Sequence, residues 1–342
     1  MNWTVDTHDL PLSTPFGIAR GTSATSECVV VALTHEGTTG YGAAAPLAYY
    51  GETAASVAET VPDLLGAVAD VGDPHAGQRI ERLLRNEAPA QPAARSAVTV
   101  AVADVAAREL DVPLYRQWGL DPQQVPPTTY TVGLDPPERM AEKASAAVEA
   151  GFAILKVKLG SDDDRARLDA VHAAVPDAEL RVDANGAWDA DAAVDAAGWL
   201  EAAGVTLLEQ PVPADDVEGL RQVTEATEMA VCADEACRTA TDVPEVADAC
   251  DAVNVKLGKC GGPRAARRAL HAADAYGLST MLGCMVASSA AIAAAVHLAP
   301  LVEYADLDGA LLLESDPYAG VPIDSDRFDL GAVETGTGVR PR

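Results

Sequence analysis

Two short apolar segments carry amines that such segments rarely tolerate. Ile154-Leu155-Lys156-Val157-Lys158-Leu159 holds two lysines of the same strand parity, and Val253-Asn254-Val255-Lys256-Leu257 holds a third. Only five lysines occur in 342 residues, the others being Lys143 and Lys259, so three in β-branched runs need a reason. Burying an ammonium is costly unless it is paired or put to use. Acids close the intervening runs. Asp183, Glu209 and Asp234 follow Lys158 at intervals of 25, 26 and 25 residues, and Lys256 comes 22 residues later. Three carboxylates gathered at one point repel and raise one another's pKa. A divalent cation resolves that conflict, and an all-oxygen donor set favours Mg²⁺ over Zn²⁺. Helix N-caps would explain any one of the three acids but explain all three poorly.

The lysines suit proton transfer. Lys156 and Lys158 would face one side, and Lys256, four strands on, would face them across a cavity. One base on each face of a bound substrate is what removal and return of a proton at a stereocentre requires. A second ammonium and a nearby Mg²⁺ would both pull a lysine toward neutrality, where it can act as a base. Salt bridges to the same carboxylates, or a Schiff-base lysine, are the alternatives. Asp306-Leu307-Asp308 closes an eighth run with both carboxylates on one side, which suits a substrate ammonium group or simple loop capping. Gly258-Lys259-Cys260-Gly261-Gly262 lacks phosphate-loop spacing and reads as a helix start with glycine freedom.

Bringing these groups to one rim requires a repeated element. Beyond residue 127, short β runs at 128–132, 153–157, 179–182, 206–208, 230–232, 252–255, 279–282 and 303–305 alternate with seven helical stretches. The intervals match one strand–loop–helix–loop unit of a parallel barrel, whose chemistry sits at the rim where the strands end. Thr131 and Met285 stand at the first and seventh of these ends. No GxGxxG follows the first strand, which argues against an open doubly wound sheet. The predicted fold class is α/β, a modified TIM barrel of (β/α)7β form spanning residues 125–315. Residues 1–120 read as an α+β capping domain, with strands at 3–10 and 27–34, a hairpin turn at 35–40, and helices near 53–69, 77–86 and 93–110. Residues 316–342 have no helix after the eighth strand and are predicted to return to the cap and complete it.

Composition bounds the setting. The formal charge is −28, from 24 basic and 52 acidic residues spread along the whole chain. Such a surface repels nucleic acid and anionic lipid, which excludes both as expected partners. Acidic residues without a distinct tail, with lysine scarce, point to high salt, although an ordinary acidic bacterial-type protein would also fit. No run approaches the roughly 18 apolar residues of a membrane span, and the first ten residues lack the pattern of a secretory signal. Six scattered cysteines with no CxxC pair fit reduced thiols in a cytoplasmic protein.

Taken together, Lys156-Val157-Lys158, Arg181-Val182-Asp183-Ala184-Asn185, Glu209-Gln210-Pro211, Ala233-Asp234-Glu235, and Asn254-Val255-Lys256 leading to Gly261-Gly262 resemble the enolase superfamily, in its muconate-lactonizing subgroup. The resemblance covers nearly the whole chain. Sites of that superfamily combine a Lys or His base with Mg²⁺, so the roles given above match the family's rather than standing apart from it. Within the subgroup the sequence is most similar to dipeptide epimerases, through Tyr49-Tyr50-Gly51-Glu52-Thr53, Thr131, Gly283-Cys284-Met285 and Asp306-Leu307-Asp308.

The resemblance implies 1,1-proton transfer at the α-carbon of a dipeptide's C-terminal residue, through an enediolate. It implies Lys158 and Lys256 as alternating bases, Lys156 beside the enolate oxygen, and one Mg²⁺ per subunit on Asp183, Glu209 and Asp234. Asp306 and Asp308 would hold the dipeptide ammonium, with Thr131, Met285, Arg20 and Tyr50 as further substrate contacts. Cap loops near residues 19–22 and 47–53 would select the substrate, and the protein would be a homo-oligomer. Two departures leave the dipeptide open. The family commonly has Glu where this chain has Ala287, and the arginine of members selective for Ala-Glu aligns with Gly21 rather than with neighbouring Arg20. An o-succinylbenzoate synthase and a muconate-type cycloisomerase use the same template, but neither accounts for an ammonium anchor. A Schiff-base aldolase would be trapped by borohydride and indifferent to EDTA, and a sugar- or peptide-binding barrel would release no α-proton.

Overall fold

The computed structural model describes residues 1–342. It opens with an antiparallel sheet in the order β1 (Asn2–Ile18), β2 (Gly21–His35), β3 (Thr38–Ala44). Alternation in β2 sends Val29, Val31 and Leu33 to one face. There they pack on Val57, Val61, Leu64 and Leu65 of α1 (Ala54–Val71), on Ile80 and Leu84 of α2 (Gly77–Glu87), and on α3 (Pro92–Glu109). The opposite face, with Cys28, Val30 and Ala43, joins the core of the rest of the chain. Gly42 on β3 permits this close packing, because a Cβ there would lie 2.2 Å from the Ala97 carbonyl oxygen of α3.

β1 and β2 run well beyond the segments that alternation predicts. The extra hairpin arm, residues 11–26, is half exposed, its returning strand is polar, and Pro11 and Pro15 interrupt the apolar residues of the first, so local pattern does not announce it. Contacts far along the chain keep it extended: Leu134 N donates to Gly17 O at 2.8 Å, Ser13 N to Leu312 O at 2.9 Å, and Glu314 N to Pro11 O at 2.8 Å. Ser26 Oγ adds a bond to Val286 O at 2.5 Å. The loop before α1 is pinned as well. Thr53 and Ser56 form a reciprocal cap, and the buried carboxylate of Glu52 accepts from Ala93 N and Ala94 N at the start of α3.

After α4 (Leu114–Gln117) come eight parallel strands in sequential order: β4 (Tyr130–Val132), β5 (Ile154–Lys158), β6 (Glu179–Asp183), β7 (Val205–Glu209), β8 (Ala230–Ala233), β9 (Ala252–Lys256), β10 (Ser279–Gly283) and β11 (Tyr304–Asp306). A bridge between Thr128 and Ala305 brings the first and last strands together. The connections carry α5 (Pro137–Glu149), α6 (Asp164–Ala174), α7 (Ala190–Ala202), α8 (Val217–Ala226), α9 (Val243–Val246), α10 (Leu257–Cys260) with α11 (Pro263–Ala275), and α12 (Ser289–Val296). The fold is therefore α/β, a (β/α)7β barrel with an antiparallel capping sheet. Alternate residues such as Val157, Val182, Val231 and Val253 pack outward on the helices. Leu207, Cys232, Ala252 and Met281 fill the floor of the barrel, and the polar inward residues lie above them.

Residues 316–342 tie the two halves. Leu114 N donates to Gly336 O at 2.8 Å, Thr337 N to Asp104 Oδ1 at 2.6 Å, and Tyr318 packs on His8 and Tyr41. The same segment also grips the barrel, through Thr128 N on Asp326 O and Ser289 N on Asp316 Oδ2. No helix is long and apolar enough to cross a membrane, and all six cysteines are free.

His297, at the end of α12, joins the barrel to α4: its Nδ1 accepts from Tyr115 N at 3.0 Å, and its ring stacks on Tyr115. Burial pushes this imidazole down from 6.5 to about 4. The unfolded chain therefore takes up the proton first, and stabilisation that is complete above pH 6.5 is lost as pH falls toward 4, by about 3 kcal/mol. His297→Phe cannot titrate and is expected to flatten that part of the stability profile in urea unfolding, whatever its constant cost. A variant profile parallel to the wild type across this range would contradict the assignment.

Candidate active site

Inward parity carries Asp183, Glu209 and Asp234 to the C-terminal ends of β6, β7 and β8, all three essentially without solvent exposure. One oxygen from each lies within 4.8 Å of the others. Burial lifts the Glu209 carboxyl to about 7; Lys156 opposes the rise, and Asp183 and Asp234 add to it. Asp183 goes the other way: burial would raise it, but Lys158 and Lys156 outweigh that and hold it at about 2. Glu209 Oε2 has no directed hydrogen bond. Three convergent, buried, all-oxygen donors with a spare lone pair fit a hard divalent cation.

The lysines stand against these acids. Lys156 Nζ lies 2.6 Å from Glu209, 2.7 Å from Asp306 and 3.2 Å from Asp183. Lys158 Nζ reaches Asp183 at 2.5 Å and Asn185 Oδ1 at 3.3 Å, and Lys256 Nζ reaches Asp234 at 2.7 Å. β5 and β9 are four strands apart in a ring of eight, so Lys158 and Lys256 come from facing walls. Gly283 makes room for the second of them, since a Cβ there would sit 2.9 Å from Lys256 Cε. The lowering of lysine pKa expected from the sequence depends on a Mg²⁺ bound beside the amines. Burial does lower Lys156 and Lys256, but Asp306, Glu209 and Asp183 around the first, and Asp234 beside the second, hold both well above the usual range. The lowering relied on positive charge compensating those carboxylates. In this structure the ammonium groups themselves do so.

Several participants escaped the reading of the sequence. Lys259, placed there in a glycine-rich helix start, is fully buried. It donates to Asp234 Oδ1, to Asp234 O at 2.5 Å, to Asn254 O at 2.7 Å and to Cys237 O at 3.1 Å. Gln210 Oε1 accepts from Asp234 N and Ala236 N, which locks the loop after β8 to that after β7. Asn254 Nδ2 donates to Glu209 Oε1 at 2.9 Å. Asn185 and Gln210, each just past an acid, adopt positive φ of 49° and 36°, a cost that marks the turns shaping the rim. A usable signal did exist: Lys259 is one of only five lysines, and Asn254 interrupts a β-branched run.

The hairpin arm, the 47–51 loop and the rim enclose a cavity of about 530 Å³. Of the residues singled out from the sequence, Lys156, Lys158, Lys256, Asp234, Thr131, Asp306, Asp308, Met285, Arg20 and Tyr50 line it, while Asp183 and Glu209 lie beneath. Asp306 and Asp308 are not equivalent. Asp306 is engaged by Lys156 and by Thr129 Oγ1 at 2.5 Å. Asp308 accepts from Thr131 N at 2.6 Å and has no ion-pair partner, and burial with the neighbouring Asp306 charge lifts it to about 7. Arg20, half-buried, bonds Glu235 Oε1 at 2.6 Å and Asn185 O at 2.7 Å.

This capped barrel, with its rim of acids and amines, is the framework of an isomerase. Residues 2–119 match the mandelate racemase / muconate lactonizing enzyme N-terminal domain, and residues 139–338 match the enolase C-terminal domain-like family. The L-Ala-D/L-Glu epimerase of Bacteroides thetaiotaomicron is 35% identical over 331 residues, covering 96% of this chain and 85% of that protein. The dipeptide epimerase of Enterococcus faecalis, solved with Mg and L-Leu-L-Tyr, superposes with a TM-score of 0.92 at 34% identity, covering 98% of both chains. The N-succinyl Arg/Lys racemase of Bacillus cereus superposes at 0.93 with 28% identity, covering 100% of this chain and 96% of that one. The chain belongs to the enolase superfamily, in its mandelate racemase and muconate-lactonizing branch.

Proposed function

We propose that this chain is a Mg²⁺-dependent dipeptide epimerase that moves the α-proton of the C-terminal residue between two lysine bases. One observation carries the reading: a single cavity combines amines from facing strands with Asp308, a buried carboxyl that no cation of the protein pairs. Asp183, Glu209 and Asp234 would hold one Mg²⁺ per subunit, which when bound supplies positive charge for a substrate carboxylate. Lys158 Nζ, as the neutral amine, takes the proton from the α-carbon on one face, and Lys256 Nζ, as the ammonium, delivers one to the other, with roles and protonation states exchanging for the opposite diastereomer. Mg²⁺ on the three acids would offset the carboxylate charge that otherwise favours the protonated amines. Between the two transfers the electron pair is delocalised into the substrate carboxylate as an enediolate, with the Lys156 ammonium beside the growing oxygen charge. Asp308, backed by Asp306, receives the dipeptide ammonium, and Thr131, Met285 and Tyr50 contact the remainder, with Arg20 lining the wall beside them.

An amine at Asp308 also separates this reading from its neighbours. An N-succinyl substrate would set its own carboxylate against Asp306 and Asp308, and o-succinylbenzoate synthesis or muconate-type cycloisomerization brings no ammonium to that wall. Residues 1–120, 125–315 and 316–342 would act as cap, catalytic frame and tie, in a cytoplasmic homo-oligomer. Six free thiols and the −28 charge support a reducing, salt-rich compartment.

The test is incubation of the Mg²⁺-loaded protein with L,L-dipeptides in D₂O, read by mass shift and chiral separation. Deuterium is expected at the C-terminal residue's α-carbon, in both diastereomers, with loss of exchange in EDTA and recovery on adding Mg²⁺. Exchange that survives EDTA, borohydride trapping of Lys256, or no exchange from any dipeptide would refute the proposal.

A further inference from the structure

Every cation lining the cavity is already matched to a carboxylate. Lys156, Lys158 and Lys256 stand on the rim acids. Arg20, the remaining one, spends Nη2 on Glu235 and Nη1 on Asn185 O, and its guanidinium face lies 4.4 Å from the Tyr49 ring centroid. Glu235 is 4% exposed and has no other ion-pair partner, so withdrawing Arg20 would strand a buried carboxylate. Arg238 stacks on Tyr50 at 4.9 Å and is not part of the lining. On the opposite side of the charge balance, Glu27 opens onto the cavity with no salt bridge. The rest of the upper wall carries no charge: Phe16, Ile18, Leu47, Tyr50, Val286 and Leu312 form an apolar patch, and the hydroxyl residues Thr22 to Ser26 edge it.

The place of the Arg20–Glu235 pair matters. Arg20 holds the backbone of Asn185, whose Oδ1 accepts from Lys158 Nζ at 3.3 Å. The pair therefore stands beside the carbon whose proton Lys158 would handle, where the side chain of that residue must lie. An acidic side chain there would have to displace Glu235 from Arg20 or bury an unpaired charge against the apolar wall.

Resting on the epimerase reading above, we propose that the substrates are dipeptides with an apolar C-terminal side chain, and that acidic C-terminal residues are rejected because Arg20 is committed to Glu235. The test compares kcat/KM of the Mg²⁺-loaded enzyme for L-Ala-L-Leu, L-Ala-L-Glu and L-Ala-L-Lys. L-Ala-L-Leu is expected to lead by at least about 10-fold. Glu235→Gln, which releases Arg20, is expected to raise the Glu-to-Leu ratio by about 10-fold, a readout that a general loss of activity does not move. Removing both charges together, in Arg20→Leu combined with Glu235→Leu, should leave that ratio within about twofold, whereas losing an arginine that anchors substrate carboxylate would cost about 100-fold. Preference for the acidic or the basic dipeptide, or a collapse of the ratio in that double variant, overturns the inference. Failure of every dipeptide to exchange its α-proton would instead sink the epimerase reading.

Discussion

Lys256→Ala is expected to reduce interconversion of dipeptide diastereomers by about 10³-fold or more, the upper part of the range for a positioned acid–base group. The loss should be asymmetric. Lys158 remains on β5, so one diastereomer should still exchange its α-proton with D₂O while the other does not. Lys158→Ala should show the reverse preference, because its partner approaches from the facing strand. The fold should survive, since Asp234 keeps Lys259 as a partner when Lys256 is removed, and a melting curve close to wild type checks that. Normal epimerization by Lys256→Ala, or loss of the same diastereomer's exchange in both variants, would show that the amines do not flank the reacting carbon.

Lys259→Met should cost far more stability than replacement of the outer lysine, Lys143. The ammonium is fully buried and donates to four acceptors, three of them backbone carbonyls on the segments that carry Asp234 and Lys256. Methionine fills similar volume but takes the ammonium donor from all three carbonyls, of which Asp234 O keeps Cys237 N, and removes one of two cations beside a buried carboxylate. Breaking a buried pair by deleting one partner costs about 3–5 kcal/mol. Lys143→Met makes a fair contrast, because Lys143 pairs with Asp135 nearer the surface and is expected to cost at most about 1 kcal/mol. Urea unfolding of both variants decides the matter. A Lys259→Met protein within about 1 kcal/mol of wild type would mean that the Asp234 loop holds itself.

The barrel and its rim were legible because their signals are local and periodic. The strand residues 154–158, 179–183 and 252–256 stand out as β-branched runs closed by a charge, and the regular spacing of those charges requires a repeated unit. The hairpin arm was not legible beyond Leu10. Its apolar residues Leu12, Phe16 and Ile18 share one parity, but Thr14 and the flanking Pro11 and Pro15 interrupt the pattern, and hydrogen bonds to residues such as Leu134 and Leu312 keep it extended. Lys259 was passed over because a glycine-rich turn reads as loop chemistry, while its burial arises from the meeting of β8, β9 and α10.

From the sequence alone, this protein's strand order, the convergence of three acids on one rim, and the placing of amines on facing walls were determined, since residue parity and repeat length suffice for that. Only the tertiary structure decided which charge meets which: Arg20 with Glu235, Lys156 with Asp306, and Asp308 with no cation at all. The reason is one of range. Periodicity acts within a few residues, but an ion pair or hydrogen bond depends on separations of about 3 Å, and the groups that meet can be far apart in sequence, as Arg20 and Glu235 are at 215 positions.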